Sequence, residues 1–279
     1  MTETSGGEKH LPPQPWMSTP ATKAVIAALT AGGSEVRFVG GCVRDALLGR
    51  AVTDIDIATP DEPQRVIELL QAAGLKAVPT GIDHGTVTAV AQHQPFEITT
   101  LRRDVETDGR RAKVAFTDDW IADAARRDFT FNAMSCAPDG RLHDPFGGAA
   151  DLAAKRVRFV GEAEARIRED VLRLLRFFRF YAHYGAPPPD ADALAAVERL
   201  APLLPTLSGE RIAAETLKLL AAPDPAGVLR LMQSHGVLAH FFSEAGHLDR
   251  LARLTSIEAV LGLKPEPARR LAAALEGEA

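Results

Sequence analysis

Apolar residues alternate in short runs through the first half of this chain and recur at helical spacing through the second. A helix is expected over about 19–30, with Ala24 and Leu29 on its buried face and Gly32-Gly33 ending it. Short β-type runs follow at Glu35–Val39, Asp54–Ala58, Val87–Val90 and Phe96–Leu101. Between them, Val43–Leu48 and Glu62–Ala73 read as helices. That order predicts an α+β head with a mixed sheet over about 19–150, after a flexible tail over 1–18. Beyond residue 150, β-branched runs disappear and Ala, Leu, Arg and Glu take over. Helices are expected near 150–154, 163–184, 190–201, 208–222, 224–235 and 247–261, with Pro-rich joints between several of them. This all-helical part divides into a neck, 151–222, and the start of a body, 223–279.

Composition narrows the class. The 279 residues are 46% hydrophobic and 25% charged, ordinary values for a globular chain. Apolar runs are too short for a transmembrane helix, and the N-terminus lacks the basic-then-apolar layout of a secretory signal, so a cytoplasmic protein is expected. Cys42 and Cys136 are too few for a disulfide framework or a Cys-rich zinc site. A net charge of −5 excludes a uniformly basic nucleic-acid binder but not a local basic stripe. No GxxxxGK or HExxH occurs, which argues against a P-loop and against zinc. Trp16, Trp120, Phe177, Phe178 and Phe180 are assigned to the core, and His84 is given no chemistry.

The strongest chemical signal is VGGCVRDALLGRAVTDIDIAT, residues 39–59. Gly40-Gly41 follows a strand and opens a helix, so backbone N–H groups can face a phosphate, with Arg44 and Asp45 one turn further on. Asp54 and Asp56, two apart on a strand, point to one side while Ile55 and Ile57 enter the core. Two adjacent carboxylates repel unless a cation joins them, and oxygen-only ligands suit Mg²⁺. A glycine turn followed by paired aspartates is the layout of a nucleotidyltransferase. Glu97, on a strand among apolar residues, is either a third carboxylate of this site or a surface-facing edge residue.

From here the sequence resembles the class II tRNA nucleotidyltransferase/poly(A) polymerase family, especially its CCA-adding members. The resemblance covers about 35–222. It rests on the segment above, on RRDFTFNA at 126–133, DPFGGAADL at 144–152, Glu169-Asp170-Val171-Leu172-Arg173, and Glu210-Arg211-Ile212 with Glu215, all in family order. It implies nucleotide contacts from Arg127, Asn132, Arg176 and Arg179, and base reading by Asp170 and Arg173. The polar stretch 101–116, expected to be a mobile surface loop with an inert hairpin as the alternative, resembles the flexible loop that helps such enzymes switch from C to A addition. Members continue into a longer helical body and tail, so a chain stopping at Ala279 is expected to be a shortened version of that plan.

The base-reading pair also has a physical argument. On one continuous helix, Asp170 and Arg173 lie about 60° apart and point the same way. Cytosine and adenine each offer an amino donor beside an unprotonated ring nitrogen. Asp170 can accept from the first and Arg173 donate to the second, which admits CTP and ATP and leaves buried groups unsatisfied with GTP or UTP. Between 166 and 180, five arginines face two acids, a basic stripe suited to triphosphate and RNA phosphates. The expected activity is template-independent addition of CCA to the tRNA 3′ end, engaging the acceptor stem, with Mg²⁺ on Asp54 and Asp56. An A-adding enzyme, a poly(A) polymerase and a non-catalytic RNA-binding protein remain the alternatives.

Overall fold

Helix α1 (Pro20–Thr30) begins where Thr19 accepts the N–H of Thr22 and Pro20 supplies a preset first-turn φ. Its buried side carries Ala21, Val25, Ala28 and Leu29, whereas Ala24, expected inside, is exposed. The chain then runs β1 (Arg37–Val39), α2 (Gly41–Leu47), β2 (Asp56–Thr59), α3 (Pro63–Ala72), β3 (Lys76–Gly81), β4 (Thr86–Ala91) and β5 (Gln94–Thr100). After these come β6 (Arg102–Asp108), β7 (Arg111–Phe116), α4 (Trp120–Ala125), β8 (Ser135–Cys136), β9 (Leu142–His143) and α5 (Gly148–Ala153). This computed structural model describes residues 9–108, 111–243 and 245–275. The chain divides into two units, Met1–Asp151 and Leu152–Ala279.

The first unit is built on a seven-stranded sheet in the order β3-β4-β5-β2-β1-β8-β9. Strands β2 and β5 run parallel and every other neighbouring pair runs antiparallel, so the sheet is mixed as expected. Period-two alternation decides which side chains enter the core. Ile57, Val87, Ala89, Phe96 and Ile98 are at most 1% exposed; α1 and α3 pack on β4, and α3 also on β5. Full burial of each large apolar side chain contributes about 1.5–3 kcal/mol. At Gly148 a side chain is impossible: a methyl group would stand 2.2 Å from the Thr130 carbonyl oxygen. Thr130 in turn donates its hydroxyl to Asp151 at 2.7 Å, fixing the 126–133 segment against α5.

Several expectations change here. Strand β2 begins at Asp56, so Asp54 precedes the strand. In the stretch 101–116, β6 pairs antiparallel with β7, the hairpin alternative rather than an irregular loop. Residues 1–8 of the expected tail lie outside the described residues, but Leu11 is buried and donates its N–H to the Gly140 carbonyl. Trp16 packs edge-on against Phe38, with centroids 4.9 Å apart.

The second unit consists of α6 (Ala163–Glu169), α7 (Leu172–Tyr184), α8 (Ala191–Leu200), α9 (Gly209–Leu220), α10 (Pro225–Ser234), α11 (Leu248–Val260) and α12 (Pro267–Ala274). Its core is the inward face of α7, with Phe177 and Phe178 fully buried and Phe180 6% exposed, as their apolar spacing implied. Helix α12 was not anticipated from sequence. The expected helix 163–184 is interrupted: Asp170 has φ −150° and ψ 106°. Its carboxylate accepts the N–H of Leu172 at 3.1 Å, a local bond that competes with helix continuation. Among the described residues, no helix is long and apolar enough to cross a membrane.

Candidate active site

Gly40 sits between β1 and α2 with φ +69° and ψ −126°, a conformation that L side chains avoid. The sharp turn carries the backbone close to charged groups. A methyl group on Gly40 would lie 3.4 Å from Arg127 Nη1 and 3.8 Å from Asp56 Oδ2. The glycine turn and the second aspartate of the pair are therefore neighbours in space. Cys42, beside them, is inert: burial pushes its thiol up to about 12.

Asp56 is half-buried at the start of β2 between the buried Ile55 and Ile57, while Asp54 is exposed one alternation earlier. Across the parallel pair, Asp56 is in register with Glu97 on β5. Burial raises the Asp56 carboxyl to about 6, and the charge of Glu97 adds to the rise. Arg127 opposes it, Asp54 adds to it, and Arg44 opposes it. Glu97 itself is exposed. Among the described residues, no three Asp, Glu, His or Cys side chains form a ready-made metal-ligand group. Glu97 is an electrostatic neighbour of Asp56 across that strand pair.

The positive side of the site is tightly organised. Arg44, buried on α2, donates from Nε and Nη2 to both Asp45 oxygens at 3.0 and 2.8 Å. Its Nη1 donates to Asn132 Oδ1 at 2.8 Å. Asn132 passes a bond to Asp128 at 2.9 Å, and Asp128 also accepts the N–H of Phe129. This chain locks the RRDFTFNA segment to the helix that follows the glycine turn. Arg127 donates to Asp123 Oδ2 from Nε at 3.3 Å and Nη2 at 3.1 Å, and to the Asn132 carbonyl from Nη1 at 3.4 Å. Asp123 and Asp128 were given no role by sequence reasoning. An Asp four residues before an Arg on a helix was the available signal for Asp123.

In the second unit, the Asp170 and Arg173 side chains take different partners, although the Arg173 backbone N–H donates to the Asp170 carbonyl at 2.9 Å. Arg211 Nη2 donates to both Asp170 oxygens at 3.0 Å, joining α9 to the break before α7. Arg173 donates to Glu169 at 2.6 Å and to the Arg166 carbonyl at 3.1 Å. Arg179 Nε stands 3.0 Å from Glu215 Oε2 in an ion pair, and its guanidinium lies 4.2 Å from the Phe180 ring centroid. The Arg176 guanidinium lies 5.4 Å from the same ring. The residues at 210–215 that resembled a family helix therefore meet those at 169–179.

Mixed sheet, glycine turn and acidic strand together define a nucleotidyltransferase-type head. Residues 36–158 match the poly A polymerase head domain family, and 189–248 match a family described as the probable RNA and SrmB-binding site of polymerase A. The chain is 42% identical over 258 residues to the mitochondrial CCA tRNA nucleotidyltransferase 1 of Mus musculus, covering 91% of this chain and 59% of that protein. It is 40% identical over 215 residues to the CCA-adding enzyme of Geobacillus thermodenitrificans, covering 76% and 52%. The crystal structure of the Bacillus stearothermophilus CCA-adding enzyme in complex with CTP superposes with a TM-score of 0.74 at 36% identity, covering 85% of this chain and 58% of that one. This chain belongs to the tRNA nucleotidyltransferase/poly(A) polymerase family. It spans little more than half the length of these relatives.

Proposed function

We propose that this chain transfers nucleotides from CTP and ATP to the 3′ end of tRNA, building CCA without a nucleic-acid template and releasing pyrophosphate. The observation that carries this reading is the Asp56 carboxylate beside the Gly40 turn, raised to about 6 by burial and by neighbouring acids. Such a group, rich in oxygen and poor in compensating charge, suits a hard divalent cation. Mg²⁺ commonly takes one or two carboxylates and completes its shell with substrate phosphates and water, so Asp54 and Asp56 fit it without a third protein ligand. When bound there, Mg²⁺ would supply Lewis-acid stabilisation of the phosphoryl oxygens and of the attacking hydroxyl.

The remaining roles fall to the chain. The Gly40-Gly41 backbone lets phosphates approach closely, and Arg127 offers a cation beside Asp56. Arg44, held by Asp45 and Asn132, keeps that turn rigid. Asp170 would accept from a base amino group and Arg173 donate to its ring nitrogen. Arg211 supports this by fixing the Asp170 carboxylate, whose two oxygens offer more acceptor sites than Arg211 uses. Arg176 and Arg179 add positive charge for phosphates. We place the reaction in the cytoplasm, as the sequence suggested, although the mouse relative is named mitochondrial.

The test is incubation of tRNA lacking CCA, or ending in C or CC, with each nucleoside triphosphate and Mg²⁺. CTP should extend the first two ends and ATP only the third. ATP use on every end would indicate poly(A) addition. Extension of the CC end alone would indicate an A-adding enzyme, and no pyrophosphate release from any end would leave a binding protein.

A further inference from the structure

Arg127 reaches the Gly40 turn from α4's end, and a long arginine side chain has many rotamers. One buried group removes that freedom. Asp123, 4% exposed, accepts from Arg127 through Oδ2 and from Arg126 Nε through Oδ1 at 2.9 Å. Oδ1 also accepts the backbone N–H of Arg102 at 3.2 Å. Burial alone would raise this carboxyl, but the charges of Arg127 and Arg126 hold it below the usual range, so it is ionised at neutral pH.

Arg102 is the first residue of the β6–β7 hairpin. Its carbonyl accepts from Arg126 Nε at 3.1 Å, and its guanidinium donates to the His84 carbonyl. Asp123 is thus the shared acceptor between the root of the hairpin and the arginine beside Asp56.

We propose that Asp123 is a positioning residue for nucleotidyl transfer: it holds Arg127 in the single rotamer that presents its guanidinium beside Asp56 and the Gly40 turn, and it ties that rotamer to the root of the β6–β7 hairpin. This rests on the function proposed above. Asp123 touches no reacting atom. It acts by removing the entropy that Arg127 would otherwise lose on meeting a triphosphate.

The experiment compares wild type, Asp123→Asn, Asp123→Glu, Arg127→Ala and the Asp123→Asn/Arg127→Ala double variant. Two readouts are taken: the ¹⁵Nε–¹Hε NMR signal of Arg127, and calorimetric CTP binding with Mg²⁺. In wild type the Arg127 guanidinium should rotate slowly. In Asp123→Asn it should rotate fast, and CTP should bind about tenfold more weakly. In the Arg127→Ala background the Asp123→Asn change should add nothing. If Asp123→Asn does not fold, Asp123→Glu keeps the charge one methylene further out and should show the same loosening in milder form. An Arg127 signal unchanged in both folded variants, or a full tenfold loss persisting without Arg127, overturns the proposal. Wild type that fails to bind CTP while Arg127 still loosens in Asp123→Asn sinks the nucleotide reading and leaves the positioning of Arg127 standing.

Discussion

At the scale of single residues, Asp56 concentrates the tension in the site. Its carboxyl ionises near 6 when folded against an ordinary value of 3.8, so the folded chain binds an extra proton between those values. The sign follows: the penalty is absent below about pH 4 and complete above about pH 6, so this residue lowers stability as pH rises. For a fully buried group the gap between those two values would amount to about 3 kcal/mol, and solvent screening at half-buried Asp56 reduces that to about 1–2 kcal/mol. Asp56→Asn should therefore melt a few degrees higher than wild type at pH 7 without Mg²⁺, and equally at pH 4, while incorporating no nucleotide. Thermal melts at both pH values check the first half, and a primer-extension assay checks the second. Gly40→Ala should go the other way. It forces φ +69° on an L residue, costing about 1–3 kcal/mol, and should show a lower melting temperature together with weaker incorporation.

Elements decide what residues alone do not. The interruption between α6 and α7 turns Asp170 out of the helical ladder and into the grip of Arg211 on α9. Selectivity should accordingly depend on Arg211 as well as on Asp170. Arg211→Ala should retain CTP and ATP incorporation but raise misincorporation of UTP or GTP about tenfold, measured on tRNA ending before CCA. Unchanged selectivity would count against a role for the break. Sequence periodicity ran straight through 163–184 because Ile167 before the interruption and Leu174, Phe178 and Tyr181 after it keep one helical spacing. The competing bond from Asp170 to Leu172 N–H depends on a carboxylate oriented by a residue 41 positions away. The hairpin was legible as an alternative: Asp108-Gly109 is a turn signal, while the charged composition of 101–116 favoured a surface loop.

At the scale of the whole molecule, each unit has its own apolar interior, and the second closes around a buried ion pair. Glu258 on α11, 1% exposed, accepts from Arg270 Nε at 2.7 Å and from Arg269 Nε at 2.9 Å. Arg270 also donates to the carbonyls of Leu220 and Ala222 at 2.6 Å each, capping the end of α9. Burial raises the Glu258 carboxyl, but bonds from Arg269 and Arg270 outweigh it and hold it below its ordinary 4.5. Its stabilisation is present above that value and lost as pH falls through the lower folded one. Removing one partner leaves a buried charge uncompensated, so Glu258→Ala should destabilise the chain by about 3–5 kcal/mol in denaturant unfolding at pH 7. The same substitution should cost progressively less as pH falls below 4.5 toward the lowered folded value.

What the sequence determined by itself is the part of this protein that depends on near neighbours. Alternation placed Ile55 and Ile57 inward and Asp56 between them on the other side, Gly40 announced a turn that only glycine tolerates, and the ordered segments from 39 to 215 carried the family. Only the tertiary structure decided which charges meet. That Asp123 holds Arg127, that Glu97 faces Asp56 across a parallel pair, that Arg211 rather than Arg173 takes Asp170, and that Glu258 closes on Arg270 all follow from packing between distant segments. The physical reason is range: side-chain direction within a strand or helix is fixed by backbone geometry a few residues long, whereas a charge's partner is chosen by the fold that brings it within hydrogen-bond reach.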